Sequence, residues 1–265
     1  MGALRDFELA GWQSAAATYE GFAGATRLFV PALVQAAGAK AGMRLLDLAC
    51  GTGVAAQAAA DAGAHVSGLD FSPAMLASAR SLHPHIDVQA GDAEALPFAG
   101  ASFDAVISNF GIHHVEHPER AIAEARRVLA AGGTFAFTVW AAAQDNTAWR
   151  IIFDAVKACG RLDVPMPAGN DAAATRENFS RVVTEAGFGA ATLASQLITR
   201  DWLLPSNTDL VSIFVSGTVR MATLLRGQGD ALPAVRRHVS NALQDYYREG
   251  VFVLPTRAWL ISAKT

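Results

Sequence analysis

The segment Asp47-Leu48-Ala49-Cys50-Gly51-Thr52-Gly53 constrains this chain more than any other. It closes the short apolar run Met43–Ala49 and opens Val54–Ala62, an alanine-rich, helix-prone stretch. A strand must therefore turn sharply into a helix, with its backbone passing close to a ligand. Glycine tolerates both demands. The new helix also presents unpaired N–H groups to an anionic ligand group. On its own the loop is a weak signal, because Gly51-Thr52-Gly53-Val54-Ala55-Ala56 also fits the loose G-x-G-x-x-A dinucleotide fingerprint.

The flanking pattern predicts the fold class. Strands are expected at His65–Asp70, Ile86–Ala90, Phe103–Ser108 and Thr134–Trp140. Helices are expected at Pro73–Leu82, with Ser72 as N-cap and Pro73 at the first position, and at Pro118–Leu129, stopped by Gly132-Gly133. In the second helix Ala121, Ile122, Ala125, Val128 and Leu129 share one face, with Arg126 and Arg127 in the last turn. Strand–helix alternation with short connections predicts an α/β chain with a doubly wound, Rossmann-like parallel sheet.

The C-terminal half differs. Thr147–Cys159 and Arg176–Ala186 read as helices, Ala190–Thr199 and Val251–Ala263 as strands. Between those strands Asp209–Leu225 carries Leu210, Ile213, Phe214, Gly217, Met221 and Leu224 on one helical stripe, and Leu232–Arg248 reads as a further helix. The chain is thus expected to be one domain. Residues 1–40 would form an N-terminal helical cap, 41–140 the cofactor-binding core, and 141–265 the closing strands with a helical insertion at about 206–250. An insertion of that length is expected to cap a site. Its stripe suits a homodimer as readily as a lid.

Bulk properties exclude several function classes. With 52% hydrophobic and 17% charged residues the chain can fill a sizeable core, which excludes global disorder. The net charge is -3 and no basic block stands out, so a nucleic-acid partner is not expected. No apolar run reaches the ~20 residues a membrane span needs. Met1–Ala10 carries Asp6 and Glu8 and no apolar core, unlike a secretory signal. Cys50 and Cys159 are the only cysteines, which points to a reducing cytoplasm.

Three acids refine the ligand. Asp70 ends the second strand, where a carboxylate can accept both hydroxyls of a ribose. That position suits NAD and S-adenosylmethionine alike. Asp92, in Gly91-Asp92-Ala93-Glu94 after the third strand, could accept from an adenine amino group. Asp47 stands where a dinucleotide fold would place an apolar residue. A pyrophosphate would be repelled there, whereas the ammonium of a methionine moiety would be attracted.

LLDLACGTG, the strand ending in GLDFS, GDAEALPF, FDAVISNFGIHHV and the helix ending RVLAAGG resemble class I S-adenosylmethionine-dependent methyltransferases, in particular the ubiquinone and menaquinone biosynthesis branch. The resemblance covers about Ala10 to Trp140. It implies a seven-stranded sheet with the last strand antiparallel, S-adenosyl-L-methionine as cofactor and S-adenosyl-L-homocysteine as product. By the same resemblance, Asp47, Ala49, Gly51 and Gly53 would line the methionine part of the cofactor. Asp70 would hold the ribose, with Phe71 and Met75 beside the adenosine, and Asp92 and Ala93 would read adenine. Asn109 and Phe110 would lie under the cofactor near the methyl group. Many relatives have glycine where this chain has Ala49.

Methyl transfer is an in-line displacement, and the protein's main task is to hold the acceptor opposite the S–CH3 bond. A hydroxyl or carbon acceptor must also lose a proton to a general base. His113 and His114, just beyond the fourth strand, are the candidates, and helix capping or packing is the alternative for each. With His117 they spell His-His-x-x-His, but nothing completes a closed metal site, so none is expected. Tyr19 lies in a helical segment, Trp12–Leu28, that in relatives folds over the cofactor; as a further catalytic candidate it would hydrogen-bond the cofactor or the substrate, with packing as the alternative. Trp140, Trp149, Trp202 and Phe214 would either wall an apolar acceptor pocket or fill the core. Arg220 would meet an anionic substrate or sit in a surface ion pair.

The expected function is methyl transfer to a small, partly apolar or aromatic acceptor. The alternatives are an NAD-dependent oxidoreductase, disfavoured by Asp47, Asp92 and the lack of a Tyr-x-x-x-Lys pair, and a non-catalytic cofactor-binding module.

Overall fold

The computed structural model describes residues 2–170 and 174–265. Its centre is a mixed sheet in which β1 (Arg44–Leu48), β2 (His65–Asp70), β3 (Asp87–Ala90), β4 (Phe103–Asn109) and β5 (Leu129–Trp140) run parallel. Two long strands complete it, β6 (Ala194–Pro205) and β8 (Val251–Lys264). β8 runs antiparallel to both β5 and β6. The order is β3-β2-β1-β4-β5-β8-β6, a seven-strand path. The two-residue β7 (Tyr247–Arg248) pairs with β8 and raises the strand count to eight.

Alternation along each strand divides the apolar residues between two faces. Leu45, Ala105, Ile107 and Ala136 pack beneath α3 (Val30–Ala36) and α4 (Val54–Asp61). Leu46, Leu48, Val106, Phe135 and Phe137 pack against α6 (Pro118–Val128) and α8 (Arg176–Glu185). α5 (Pro73–Leu82) starts as its sequence predicts: the Ser72 hydroxyl accepts from the Met75 amide at 3.3 Å, and Pro73 occupies the first turn.

Four local expectations are corrected. α6 ends at Val128, before the glycines. β5 begins at Leu129, and Gly132, at φ +75°, lies inside it where the register with β4 shifts. β6 begins four residues later and ends six residues later than expected. Arg200 and Asp201 interrupt its apolar pattern, but on the sheet edge both face water, while Trp202 and Leu204 are buried. The stripe at 209–225 forms two helices, α9 (Leu210–Gly217) and α10 (Arg220–Arg226). Thr218 is extended between them. Its hydroxyl accepts from the Ala222 amide, capping the second helix, and donates to the Phe214 carbonyl. The last helix, α11 (Leu232–Leu243), ends five residues earlier than expected and leads through a single turn into β7.

The N-terminus forms α1 (Ala3–Ala15) and α2 (Glu20–Arg27), so helix begins nine residues before Trp12. The 206–250 insertion does not roof the sheet edge. Its stripe packs with α2, α7 (Thr147–Cys159) and the far ends of β6 and β8 in a second core. The stripe is thus covered from within the chain and offers no free face to a second copy. The insertion reaches the N-terminal cap from behind: a Cβ at Gly11 of α1 would lie 2.3 Å from Val219 Cγ1. No helix among the described residues is long and apolar enough to cross a membrane.

Candidate active site

At the carboxyl ends of β1, β2 and β4 the chain leaves a pocket roofed by α1 and by the turn before α2. Ala49, Gly51, Asp70, Phe71, Met75, Asp92, Ala93, Asn109, Phe110, His114 and Tyr19 line it, so most residues singled out in the sequence converge there. Asp47, Gly53 and His113 do not line it.

The floor is built by strained turns. Ala49 and Phe110 both have φ +58°, where a side chain costs roughly 1 kcal/mol or more. The Ala49 methyl is tolerated because Gly111 faces it: a Cβ on Gly111 would lie 2.5 Å from Ala49 Cβ. Gly51 and Gly53 take the same left-handed conformation without penalty, and Gly53 caps α4. Phe110 is anchored by its amide, which donates to the Thr138 hydroxyl at 3.1 Å, and by a stack on Trp140 with centroids 3.8 Å apart. The Thr138 hydroxyl in turn donates to the Asn109 side-chain oxygen at 2.8 Å.

Asp70 ties the first two strands together. Its Oδ2 accepts from the Gly51 amide and its Oδ1 from the Ser72 amide, each at 2.8 Å. Burial raises its pKa, opposed by the amides of Ser72, Gly51 and Phe71. Each oxygen keeps lone-pair capacity for one more donor.

Asp47 is in a different state. It is 1% exposed, and neither carboxylate oxygen has a hydrogen-bond partner. Burial pushes its pKa up to about 8. The Ala56 amide offsets part of the rise without completing a hydrogen bond, and the Asp70 charge adds to it. A buried carboxylate without a partner is expensive, so the site is built for a donor or cation that the protein itself does not supply.

The roof brings residues that sequence reasoning missed. Arg5 lines the pocket and forms an ion pair with Asp92, whose Oδ1 also accepts from the Glu94 amide at 2.9 Å. Glu94 in turn accepts from the His117 amide at 2.9 Å. Trp12 lines the pocket and meets His114 edge to face at 5.0 Å. Glu8, 1% exposed, lies 3.3 Å from His114 Nδ1 and accepts from Trp12 Nε1 at 3.0 Å. Arg5, Glu8 and Trp12 are spaced i, i+3, i+7 on one helix face. That spacing is the signal in the sequence, and it belongs to a helix that starts at Ala3 rather than at Trp12.

The histidines separate cleanly. His113 is buried with Nδ1 unpartnered. Burial, and next the neighbouring His114, hold its pKa well below the usual imidazole range, so it is neutral. Burial likewise raises the Tyr19 phenol, with Thr26 opposing. His117 faces Glu119 at 3.4 Å. Among the described residues no three His, Cys, Asp or Glu side chains are arranged to hold a metal ion. Trp140, Trp149, Trp202 and Phe214 surround Phe22 in the second core and line none of the pocket. Arg220 donates to the Pro167 carbonyl at 3.0 Å and lies 4.0 Å from Glu8.

Glycine loop, strand-end aspartate and sheet order together have the arrangement of a class I methyltransferase fold. Residues 46–137 match the family model described as "Methyltransferase domain". More particularly, the domain resembles the quinone-biosynthesis branch. The chain is 49% identical over 110 residues to a demethylmenaquinone methyltransferase of Renibacterium salmoninarum, covering 42% of this chain and 46% of that protein. It is 39% identical over 128 residues to a malonyl-[acyl-carrier protein] O-methyltransferase of Erwinia billingiae, covering 48% and 51%. The chain thus spans about half the length of these curated relatives. The fold extends further: a solved structure from Bacillus halodurans C-125 aligns with TM-score 0.58 at 23% identity, over 89% of this chain and 97% of that one.

Proposed function

We propose that the pocket binds S-adenosylmethionine and that the chain transfers its methyl group to a small, partly apolar or aromatic acceptor. The observation that carries this reading is Asp47. Its buried, unpartnered carboxyl sits just before the glycine loop, behind the pocket lining, where an approaching ammonium would ionise it and pair with it. A dinucleotide would bring this carboxyl no ammonium to pair with, which argues against NAD.

The other residues present fit this cofactor. Asp70 would hold the ribose hydroxyls while keeping Gly51 and Ser72 in place. Met75 and Phe71 would flank the adenosine, and Ala49, Gly51 and Gly53 would shape the methionine end. Asp92 would accept from the adenine amino group once Arg5 gave way. Asn109 and Phe110 would form the floor beside the methyl group.

When bound, S-adenosylmethionine supplies an electrophilic methyl group on a sulfonium. The chain's own part is to hold the acceptor in line and to keep water out, the part that the roof of α1 with Trp12 and Tyr19 would play. The lining around Trp12, Tyr19, Phe110 and Val115 favours an aromatic or apolar acceptor. The demethylmenaquinone methyltransferase relatives support a quinone-like ring, and the malonyl-[acyl-carrier protein] O-methyltransferase relative supports a different acceptor. Two free cysteines, Cys50 and Cys159, suit the reducing cytoplasm proposed for it.

The test is incubation with S-adenosylmethionine and a panel of phenolic, enolic, amine and thiol acceptors, followed by mass spectrometry. The expected result is stoichiometric S-adenosylhomocysteine and an acceptor heavier by one methylene. Tight cofactor binding with no product from any acceptor class would instead make the chain a binding module.

A further inference from the structure

Glu8 has no role in the cofactor site described above, yet the protein buries it almost completely. A buried carboxylate is costly unless its partners compensate. Here one oxygen, Oε2, serves both Trp12 Nε1 at 3.0 Å and His114 Nδ1 at 3.3 Å, while Arg220 Nη1 lies 4.0 Å from Oε1. These groups come from three separate parts of the chain: α1, the turn after β4, and α10. An apolar side chain would fill the inner face of α1 at lower cost.

What the carboxylate does is fix the state of His114. A carboxylate oxygen 3.3 Å from Nδ1, too poorly aligned for a full hydrogen bond, favours the tautomer that places the ring proton on the nitrogen facing it. The other nitrogen, Nε2, then holds the lone pair. His114 lines the pocket, and its Nε2 has no hydrogen-bond partner among the described residues. The Trp12 ring, edge to face at 5.0 Å, holds the imidazole plane. His113, 4.1 Å behind it, is neutral and contributes no competing charge.

We propose that Glu8 is the positioning residue that makes His114 the general base, and that the acceptor is a phenol or enol, which must shed a proton as it is methylated. This rests on the methyl-transfer reading above. In the step, the acceptor O–H bond breaks and its proton passes to His114 Nε2. The acceptor's electron pair forms the bond to the methyl carbon, at oxygen or at the conjugated ring carbon. The pair of the broken methyl–sulfur bond stays on sulfur. A neutral acceptor and a sulfonium thus give a neutral methylated product, a neutral thioether and an imidazolium whose charge Glu8 balances. An amine or thiolate acceptor would not need this arrangement.

The decisive experiment is nitrogen-15 NMR of the ligand-free wild-type protein, with the His114 signals assigned through His114→Gln. The expected tautomer is Nδ1–H with a free Nε2. The opposite tautomer in the wild type overturns the proposal without recourse to any Glu8 variant. In Glu8→Leu the Nδ1–H preference should be lost. With a phenolic acceptor, kcat should fall roughly 100-fold or more in His114→Gln and roughly 10- to 100-fold in Glu8→Gln, with S-adenosylhomocysteine affinity within about twofold of wild type. Full turnover in both variants would equally overturn it. Failure of the wild type to bind S-adenosylmethionine would instead remove the methyl-transfer reading, whatever the tautomer.

Discussion

Replacing Asp70 with alanine should weaken S-adenosylhomocysteine binding roughly 100-fold or more, because two charge-assisted hydrogen bonds at about 1.5 kcal/mol each or more are lost together. The structure adds a second route to the same loss. Asp70 also accepts from the Gly51 and Ser72 amides, so the alanine variant frees the glycine loop as well as the ribose contacts. Asp70→Asn separates the two contributions. Its one side-chain oxygen can still accept, so its loss of affinity should be clearly smaller than that of alanine. Isothermal titration of both variants measures this. Unchanged affinity in Asp70→Ala would place the ribose elsewhere.

Asp47→Asn should stabilise the ligand-free protein while weakening its cofactor. The sign follows from the raised folded-state pKa of about 8 against 3.8 for the ordinary side chain. As pH rises above about 4 the unfolded chain ionises while the folded one still holds its proton. Stability is therefore full below about pH 4, falls as pH climbs towards 8, and levels off beyond it. At pH 7 the deficit is of order 4 kcal/mol. Asparagine is neutral throughout and nearly isosteric. It should match the wild type near pH 4 and exceed it at pH 7 to 8, with a thermal midpoint several degrees higher. Removing the charge should also cost S-adenosylmethionine roughly tenfold or more in affinity. Thermal unfolding across that pH range is the check. Equal midpoints at every pH would mean that Asp47 already has a compensating partner.

These predictions turn on residues that the sequence already exposed, and the reason is local. The glycine loop, the β2 end at Asp70 and the Ser72–Pro73 helix start are each encoded within a few neighbouring residues. The stretch from Met43 to Trp140 therefore reads almost directly as structure. The departures lie where distant partners decide. Arg200 and Asp201 look like the end of a strand until an edge position lets both face water. Thr218 looks like helix interior until its hydroxyl caps the next helix. Gly132-Gly133 reads as a helix stop, yet it serves a kink inside β5. The roof was missed for the same reason. Arg5 and Glu8 look like a solvated polar terminus, and only the fold reveals Asp92 and His114 waiting for them. Of the site, the floor was legible; the groups that close it from above were not.

Asp47, Asp70 and the glycine loop are proposed to form a site for S-adenosylmethionine rather than for a dinucleotide. The most direct measurement is isothermal titration of the wild-type protein with S-adenosylmethionine, S-adenosylhomocysteine and NAD in parallel. Micromolar binding of the first two and none of NAD is expected. Binding of NAD, with no response to the other two, would contradict it and assign the loop to a dehydrogenase.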